Sequence, residues 1–295
     1  MPADDCLLYR VIDSFEDHTE LQKDLWKLEA WACKWGMVFN PTKCEILPIN
    51  RTSHYLYKLG GIPLKQVQDC KYLGVNISAD LTWESHINKI SEKAASVLGF
   101  LHRNLRNCPK DCRRLSFIAL VRSKLEYAAT VWDPHVKKDI ERLERIQRQA
   151  ARFIQKDYKS IEPGCVTKML EDLDLPPLEL RRKTQRIQLL NKIQENQIPA
   201  LPPDSFLTSA SPTKRKIREP KKLEDYIVTN ILDRQIVKNS RGYTIPPVNS
   251  DQLKYSFFIN TPRQWNGLTD NNISTVLASA ASTAQEQPGP VAQIE

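Results

Sequence analysis

The chain has 295 residues, which is enough for one large domain or two to three small ones. No apolar run approaches the roughly 20 residues of a membrane-spanning helix. The sequence also does not start with the basic residues and apolar stretch that are typical of a secretory signal. Seven cysteines, an odd number without CxxC spacing, indicate neither a disulfide framework nor a zinc site. We therefore expect a reduced intracellular protein, in the nucleus or the cytoplasm, that is not bound in a membrane.

The first 80 residues predict an α+β segment, in which short strands accompany a single helix. The apolar run Cys6–Ile12 is typical of a strand. From Leu21 onward, apolar residues recur at spacings of three and four, which predicts a helix with Gly36 as its C-terminal cap. Three tryptophans lie at helical spacing in this segment, and we expect them in the core rather than on a base-stacking surface: Trp26, Trp31 and Trp35.

Turn signals in the same segment predict two hairpins and one further strand. One hairpin is centred on Asn40–Pro41 and the other on Gly60–Gly61, where Pro63 places its strand at an edge or a strand start. Cys70–Ser78 is the further strand.

After Asp80 the periodicity changes to that of helices. Three helices joined by short connections predict a small antiparallel bundle over residues 81–160, at about Trp83–Arg106, Pro109–Ala129 and Val136–Lys156. One or two more helices follow within residues 161–198, around Val166–Leu173 and Pro177–Gln197. Residues 199–275 are predicted to be irregular, and residues 276–295 to form a disordered tail.

The positive charge is concentrated in the bundle. The chain has a net charge of +8, and residues 84–156 alone contain 16 Lys or Arg against 8 Asp or Glu. The remainder of the chain is therefore neutral. Local basic charge favours a polyanionic partner, because neutralising phosphates releases their counterions. The first two helices of the bundle add bases that include Lys89, Lys93, Arg103, Arg106, Arg113, Arg114, Arg122 and Lys124.

The third helix places its bases at spacings of three and four. They are offset by two residues from the apolar positions, which predicts a basic face opposite the buried one. The alternative is a solvated face with i,i+4 ion pairs, Glu141–Arg145 and Glu144–Arg148. Two acids cannot neutralise six bases, so we favour non-specific contact with nucleic-acid phosphates. The predicted contact residues are Lys138, Arg142, Arg145, Arg148, Arg152 and Lys156.

Several motifs occur in a defined order along the chain. They are ADDCLLY, LQKDLWKLEAWACKWGMVFNPTKCEIL, KYLGVNIS, LTWESHINKISEKAASVLGFLHR, LVRSKLEYAATVWDP and LERIQRQAARFI. This ordered set resembles the C-terminal half of reverse transcriptases from non-LTR retrotransposons, of the jockey and chicken-repeat kind. The resemblance runs from Ala3 to about Ile193, and YSFFINTPRQWNGL near residue 260 is similar to the family's tail.

The resemblance implies a partial palm in residues 1–80, then a thumb-like bundle and a C-terminal extension. Asp4 and Asp5 match the palm aspartates that bind catalytic Mg²⁺, and Lys43 matches a lysine that helps to protonate the leaving pyrophosphate. The thumb of the family tracks an RNA template and a DNA primer. A primer-grip-like hairpin would contain Lys71, Tyr72, Leu73 and Gly74.

The family's fingers and its other palm motifs have no counterpart before Ala3. Two-metal phosphoryl transfer needs carboxylates that hold both ions about 3.5–4 Å apart, and in the family these come from separate strands. We therefore expect a fragment of an RNA-directed DNA polymerase that is inactive alone and binds no magnesium. Two alternatives are a standalone nucleic-acid-binding module derived from the thumb and a relic without function.

Overall fold

The computed structural model describes residues 6–49, 55–210 and 237–284. The chain divides into two compact units, Met1–His86 and Ile87–Glu295. The described residues combine helices with short strands, in agreement with the predicted α+β class. None of the described helices is both long and apolar enough to cross a membrane.

Helix α1 of the first unit spans Phe15–Lys34 and begins six residues before the predicted start at Leu21. The reason is a cap, since the Asp17 carboxylate accepts a hydrogen bond from the Ser14 N–H at 2.9 Å. The helix ends where Gly36 adopts a left-handed conformation with φ of +67°. The predicted glycine cap is therefore confirmed.

The strands of the first unit are short and, within its described residues, form three two-stranded sheets. In chain order they are β1 (Glu45–Ile46), β2 (Lys58–Leu59), β3 (Ile62–Pro63), β4 (Lys65–Gln66), β5 (Asp69–Tyr72) and β6 (Val75–Ser78). Strands β2 and β3 form the hairpin predicted at Gly60–Gly61, and β5 pairs with β6, both antiparallel. Strand β1 pairs with β4 in parallel.

Three of the strand predictions are wrong. Cys6–Ile12 contains no strand, and Cys70–Ser78 folds back on itself as β5–β6 instead of forming one strand. The hairpin predicted at Asn40–Pro41 is replaced by a 3₁₀ turn over Pro41–Lys43, after which β1 pairs with β4. The turn at Gly60–Gly61 was predicted correctly, but the turn at Leu73–Gly74 was missed. The pairing of β1 with β4 depends on contacts distant in sequence.

The predicted burial of the α1 tryptophans is also wrong. Trp26, Trp31 and Trp35 are 55%, 50% and 65% exposed. The small core of this unit is built on Tyr57, Leu59 and Leu64, and α1 packs Leu21 and Leu25 against it. Helix α1 also binds β2 through the buried Gln22, whose amide exchanges hydrogen bonds of 2.8 and 2.9 Å with the backbone of Lys58. A core of this size covers only one narrow face of the helix, so the tryptophans stay outside it.

The helices of the second unit agree with the predicted ones except in the middle of the bundle. They are α2 (Glu84–Asn104, which starts in the first unit), α3 (Lys110–Phe117), α4 (Ser123–Glu126), α5 (Ala129–Trp132), α6 (Lys137–Gln155), α7 (Cys165–Asp172) and α8 (Leu178–Gln194). A π turn at Ile118–Arg122 joins α3 to α4. The helix predicted to continue to Ala129 is interrupted, because Ala128 takes a left-handed φ of +52° before α5.

The segment predicted to be irregular after residue 198 is partly ordered and packed. It contains β7 (Thr208–Ala210), β8 (Gly242–Thr244), α9 (Asp251–Lys254), α10 (Phe257–Gly267) and α11 (Asp270–Ala284), and β7 pairs with β8. Trp265 of α10 is fully buried against Ile187 and Leu190 of α8. The predicted disordered tail begins inside α11, where Val276 is buried; residues 285–295 lie outside the described residues.

The turn between α5 and α6 is fastened to α8 by buried charges. The Asp133 carboxylate binds Arg182 Nε at 2.7 Å and Arg186 Nη2 at 2.9 Å. Both arginines are almost completely buried, and burial lowers the pKa of Arg186 while Asp133 opposes that shift. Next to this cluster, Arg181 binds Glu126 in a bidentate pair. One carboxylate thus compensates two buried guanidinium groups.

We predict that Asp133→Ala lowers the free energy of unfolding by about 3–5 kcal/mol, because two buried cations then lose their shared counter-charge. Urea unfolding followed by circular dichroism measures the change. The matched control is Asp174→Asn, since Asp174 is 89% exposed, pairs with Arg114 at 3.7 Å and has a φ of +50° that asparagine tolerates. The control variant should stay within about 0.5 kcal/mol of the unsubstituted chain. Equal effects of both substitutions would contradict a special role for Asp133.

Candidate nucleic-acid interface

Helix α6 has a buried face and a basic face. Leu143, Ala150 and Ile154 are fully buried, where the helix packs against α3, α7 and α8. Of the predicted contact residues, Lys138, Arg145, Arg148 and Lys156 are exposed, whereas Arg142 and Arg152 are partly buried. The fold therefore presents most of the predicted cations to solvent, and their binding role stays a prediction.

The carboxylates of α6 do not form the ion pairs expected of a merely solvated face. Glu144 turns toward α8, where its Oε1 accepts a hydrogen bond from the Glu179 N–H at 2.9 Å and so caps that helix. Burial raises the pKa of Glu144, although this hydrogen bond and the charges of Arg182 and Arg148 oppose the shift. Within the described residues, neither Arg145 nor Arg148 has a carboxylate within 4 Å.

Arg152 differs from the other predicted contact residues, because its guanidinium binds the chain that follows α6. Nη1 donates to the Asp157 carbonyl at 3.2 Å, and Nη2 donates to the Ser160 carbonyl at 2.9 Å. These bonds hold the loop after the helix in place. Arg152 keeps the helical spacing of the basic face, but its Nη1 and Nη2 groups already donate hydrogen bonds within the protein.

Three further arginines of the bundle also serve the fold. Arg113 is buried and donates through Nε and Nη2 to the carbonyl of Ile154 at 3.1 and 2.6 Å. Arg114 donates to the Leu173 carbonyl at 2.6 Å. Arg122 is buried within the π turn. The cationic surface is therefore smaller than the sequence count indicated.

An aromatic residue that the sequence analysis did not single out lies at the C-terminal end of α6. Tyr158 is 54% exposed, and its hydroxyl lies 2.9 Å from Nε2 of His102 at the end of α2. The two rings meet edge to face, with centroids 5.8 Å apart. No periodic pattern marks this pair, because 56 residues separate its members.

The segment predicted to resemble the primer grip is the tip of the β5–β6 hairpin. Lys71 lies opposite Asn76, and Tyr72 lies opposite Val75. Leu73 and Gly74 form the two-residue turn, both with positive φ, +44° and +86°. Leu73 is 56% exposed although its conformation is one that leucine rarely adopts. The hairpin is present, and its contact with a primer stays a prediction.

The predicted catalytic residues are not brought together in the part of the chain that the structure describes. Asp4 and Asp5 lie outside the described residues. Lys43 ends the 3₁₀ turn before β1 and is exposed. Among the described residues, no three His, Cys, Asp or Glu side chains gather as a metal site would require. The expectation that this chain binds no magnesium stays a prediction, because Asp4 and Asp5 are not among the described residues.

We predict that Arg152→Gln destabilises the protein whereas Arg145→Gln does not. The first substitution removes the guanidinium donors of two carbonyls, of which the Ser160 carbonyl keeps only the weak Cys165 thiol donor at 3.4 Å, and this should cost about 1–3 kcal/mol. The second removes an exposed charge and should change the free energy of unfolding by less than about 0.5 kcal/mol. Chemical unfolding of the two variants measures the difference. Equal stabilities would show that the Arg152 bonds do not support the fold.

Comparison with known proteins gives two relatives, both from Drosophila melanogaster. The chain is 26% identical over 160 residues to "Probable RNA-directed DNA polymerase from transposon BS", and the match covers 52% of this chain and 18% of that protein. It is 24% identical over 160 residues to "Probable RNA-directed DNA polymerase from transposon X-element", covering 52% and 17%. No protein-family model matches, and no solved structure matches. About half of the chain is thus distantly related to less than a fifth of each transposon polymerase.

Proposed function

We propose that the chain is part of a non-LTR retrotransposon reverse transcriptase of the jockey and chicken-repeat kind, with residues 1–80 as partial palm and residues 81–160 as thumb. In this proposal the second unit holds the template–primer through its phosphate backbone. The distant similarity to two transposon RNA-directed DNA polymerases supports the polymerase origin. The observation that carries the binding role is the outer face of α6, where Arg145 and Arg148 meet no carboxylate among the described residues.

The charge distribution on α6 favours a face that binds a polyanion over a face that only contacts solvent. Arg145 and Arg148 are exposed, and Glu144, the acid of the same helix closest to both in sequence, is directed toward α8. Glu144 acts on Arg148 only at a distance, and neither guanidinium group forms an ion pair with it within 4 Å. Arginine presents several donors in a planar fork that matches phosphate oxygens. Such contacts position a protein on nucleic acid without reading its sequence.

The first turn of α6 supports the same conclusion. Lys137 and Lys138 lie at the N-terminal, positive end of the helix dipole, and the acid of that turn, Asp139, is buried. The buried Asp139 supplies the negative charge that this end of the helix dipole favours. The two lysines are both exposed and add positive charge at the N-terminal end of the helix.

The proposal concerns binding, and no catalytic step is assigned. Asp4 and Asp5 are proposed to correspond to the magnesium-binding aspartates of the intact polymerase, and Lys43 to its accessory lysine, on the resemblance of their motifs alone. Magnesium would supply charge neutralisation of the transferring phosphoryl group when bound. The hairpin Lys71–Gly74 is proposed to contact the primer strand.

We predict that the double variant Arg145→Gln, Arg148→Gln binds duplex nucleic acid more weakly and with a flatter dependence on salt. The logarithm of the association constant should fall less steeply with log salt, by about 0.9 for each phosphate that the variant no longer neutralises. Fluorescence anisotropy of a labelled RNA–DNA hybrid at several salt concentrations measures both quantities.

The matched control is Lys168→Gln, Lys192→Gln, which removes the same charge from exposed positions on α7 and α8. The control should lose little affinity and keep the slope of the unsubstituted chain. Equal losses in both double variants would mean that only total charge matters, and an unchanged slope in the arginine variant would reject the α6 face as the interface.

A further inference from the structure

The end of the bundle at which α2 and α6 finish carries an exposed aromatic ring. Tyr158 follows the last turn of α6, and its hydroxyl meets His102 Nε2 at 2.9 Å. The hydroxyl makes this contact, and the two rings meet edge to face with an interplanar angle of 72°. Tyr158 nevertheless keeps 54% of its surface exposed.

Exposed cations lie near Tyr158 along the chain and on the end of α2. Arg103 adjoins His102 on α2, and Lys156 and Lys159 flank Tyr158 in the chain; all three are exposed. Arg106 is exposed as well, and it lies near enough to Tyr158 to lower the pKa of the phenol, which burial otherwise raises. We call the six residues the Tyr158 cluster: His102, Arg103, Arg106, Lys156, Tyr158 and Lys159.

The acid nearest in sequence does not neutralise these cations. The Asp157 carboxylate accepts hydrogen bonds from the Lys159 N–H and the Ser160 N–H, both at 3.0 Å, and from the Ser160 hydroxyl at 2.5 Å. These bonds lower the pKa of Asp157, so it is ionised but occupied in the turn. Among the described residues, no carboxylate lies within 4 Å of the Arg103, Arg106, Lys156 or Lys159 head groups.

Two arginines hold the loop that carries Tyr158 by binding backbone carbonyls. Arg152 binds the carbonyls of Asp157 and Ser160, on either side of the tyrosine. Arg113 binds the Ile154 carbonyl in the last turn of α6 and the Cys108 carbonyl after α2. A loop fixed at both ends keeps the ring in one place, which lowers the entropy lost when a ligand binds it.

We propose that the Tyr158 cluster binds single-stranded nucleic acid, with the tyrosine ring stacked on an unpaired base and the nearby cations on the flanking phosphates. This inference rests on the proposed function and specifies it further. Exposed aromatic rings among cations are the usual means of holding unpaired strands, because every base offers a π face. Paired bases in a duplex are already stacked on one another and do not present that face.

The test compares Tyr158→Ala with Tyr158→Phe in the full chain. Phenylalanine keeps the ring and loses the hydroxyl, whereas alanine removes the stacking surface. The probes are an oligo-dT strand of about 12 nucleotides and a duplex of equal length, within the site sizes known for single-strand binders. A single-stranded oligonucleotide containing 2-aminopurine reports stacking through quenching of its fluorescence.

We expect Tyr158→Ala to weaken single-strand binding roughly 5- to 100-fold and to abolish the quenching. Tyr158→Phe should retain both, and neither variant should change duplex affinity. The inference is overturned if Tyr158→Ala binds the single strand normally, if it loses duplex affinity equally, or if polyglutamate competes as well as the oligonucleotide does.

The result also separates this inference from the proposal on which it rests. If Arg145→Gln, Arg148→Gln weakens duplex binding while Tyr158→Ala changes nothing, the Tyr158 cluster is rejected and the α6 interface remains. If the unsubstituted chain binds neither probe, the proposed function is rejected and this inference falls with it.

Discussion

The contact on which the second unit most depends is the Asp133 carboxylate held between Arg182 and Arg186. It joins the turn before α6 to the middle of α8, 49 residues later in the chain. Burying these charges is costly unless the ion pairs have good geometry. The pairing therefore restricts how the turn before α6 can pack against α8. Helix α8 then provides Ile187 and Leu190, on which the C-terminal segment packs. One ionic cluster therefore orients both α6 and the segment that follows α8.

The orientation of α6 determines which of its charges reach solvent. Gln147 donates to the Pro176 carbonyl at 2.9 Å, and Glu144 caps the start of α8. The second bond directs the Glu144 carboxylate toward α8, so that it acts on Arg148 only at a distance. The basic surface thus results as much from where the acids are used as from where the arginines lie.

Sequence periodicity predicted the long helices well and the roles of individual side chains less well. The extent of α6 follows from apolar spacing, because its inner face is continuous. Arg145 and Arg152 share that spacing, yet one is exposed and the other binds two loop carbonyls. The difference arises because the loop after α6 folds back onto Arg152, and helical spacing does not predict this contact. For the same reason, the contact of Tyr158 with His102 could not be read from either local segment.

In the first unit, local patterns predicted one turn correctly but not the pairing of every strand. That turn was marked by Gly60–Gly61, but the parallel pairing of β1 with β4 brings together strands that no local pattern connects. Strands of two residues carry almost no alternation from which pairing could be inferred. The exposed Trp31 and Trp35 likewise have ordinary helical spacing, and only the size of the core decides that they remain outside it.

The motifs that carry the family resemblance contain many of the residues that build the scaffold. The stretch LVRSKLEYAATVWDP includes Glu126, Trp132 and Asp133, which form buried pairs or core contacts. LERIQRQAARFI contains Gln147, which reaches α8, together with the exposed Arg145 and Arg148 of the basic face. A resemblance resting on such motifs speaks first for a shared way of packing helices. The chemistry of the surface is a separate question, because an exposed arginine can be exchanged at almost no cost to the fold, whereas a buried partner of Asp133 cannot.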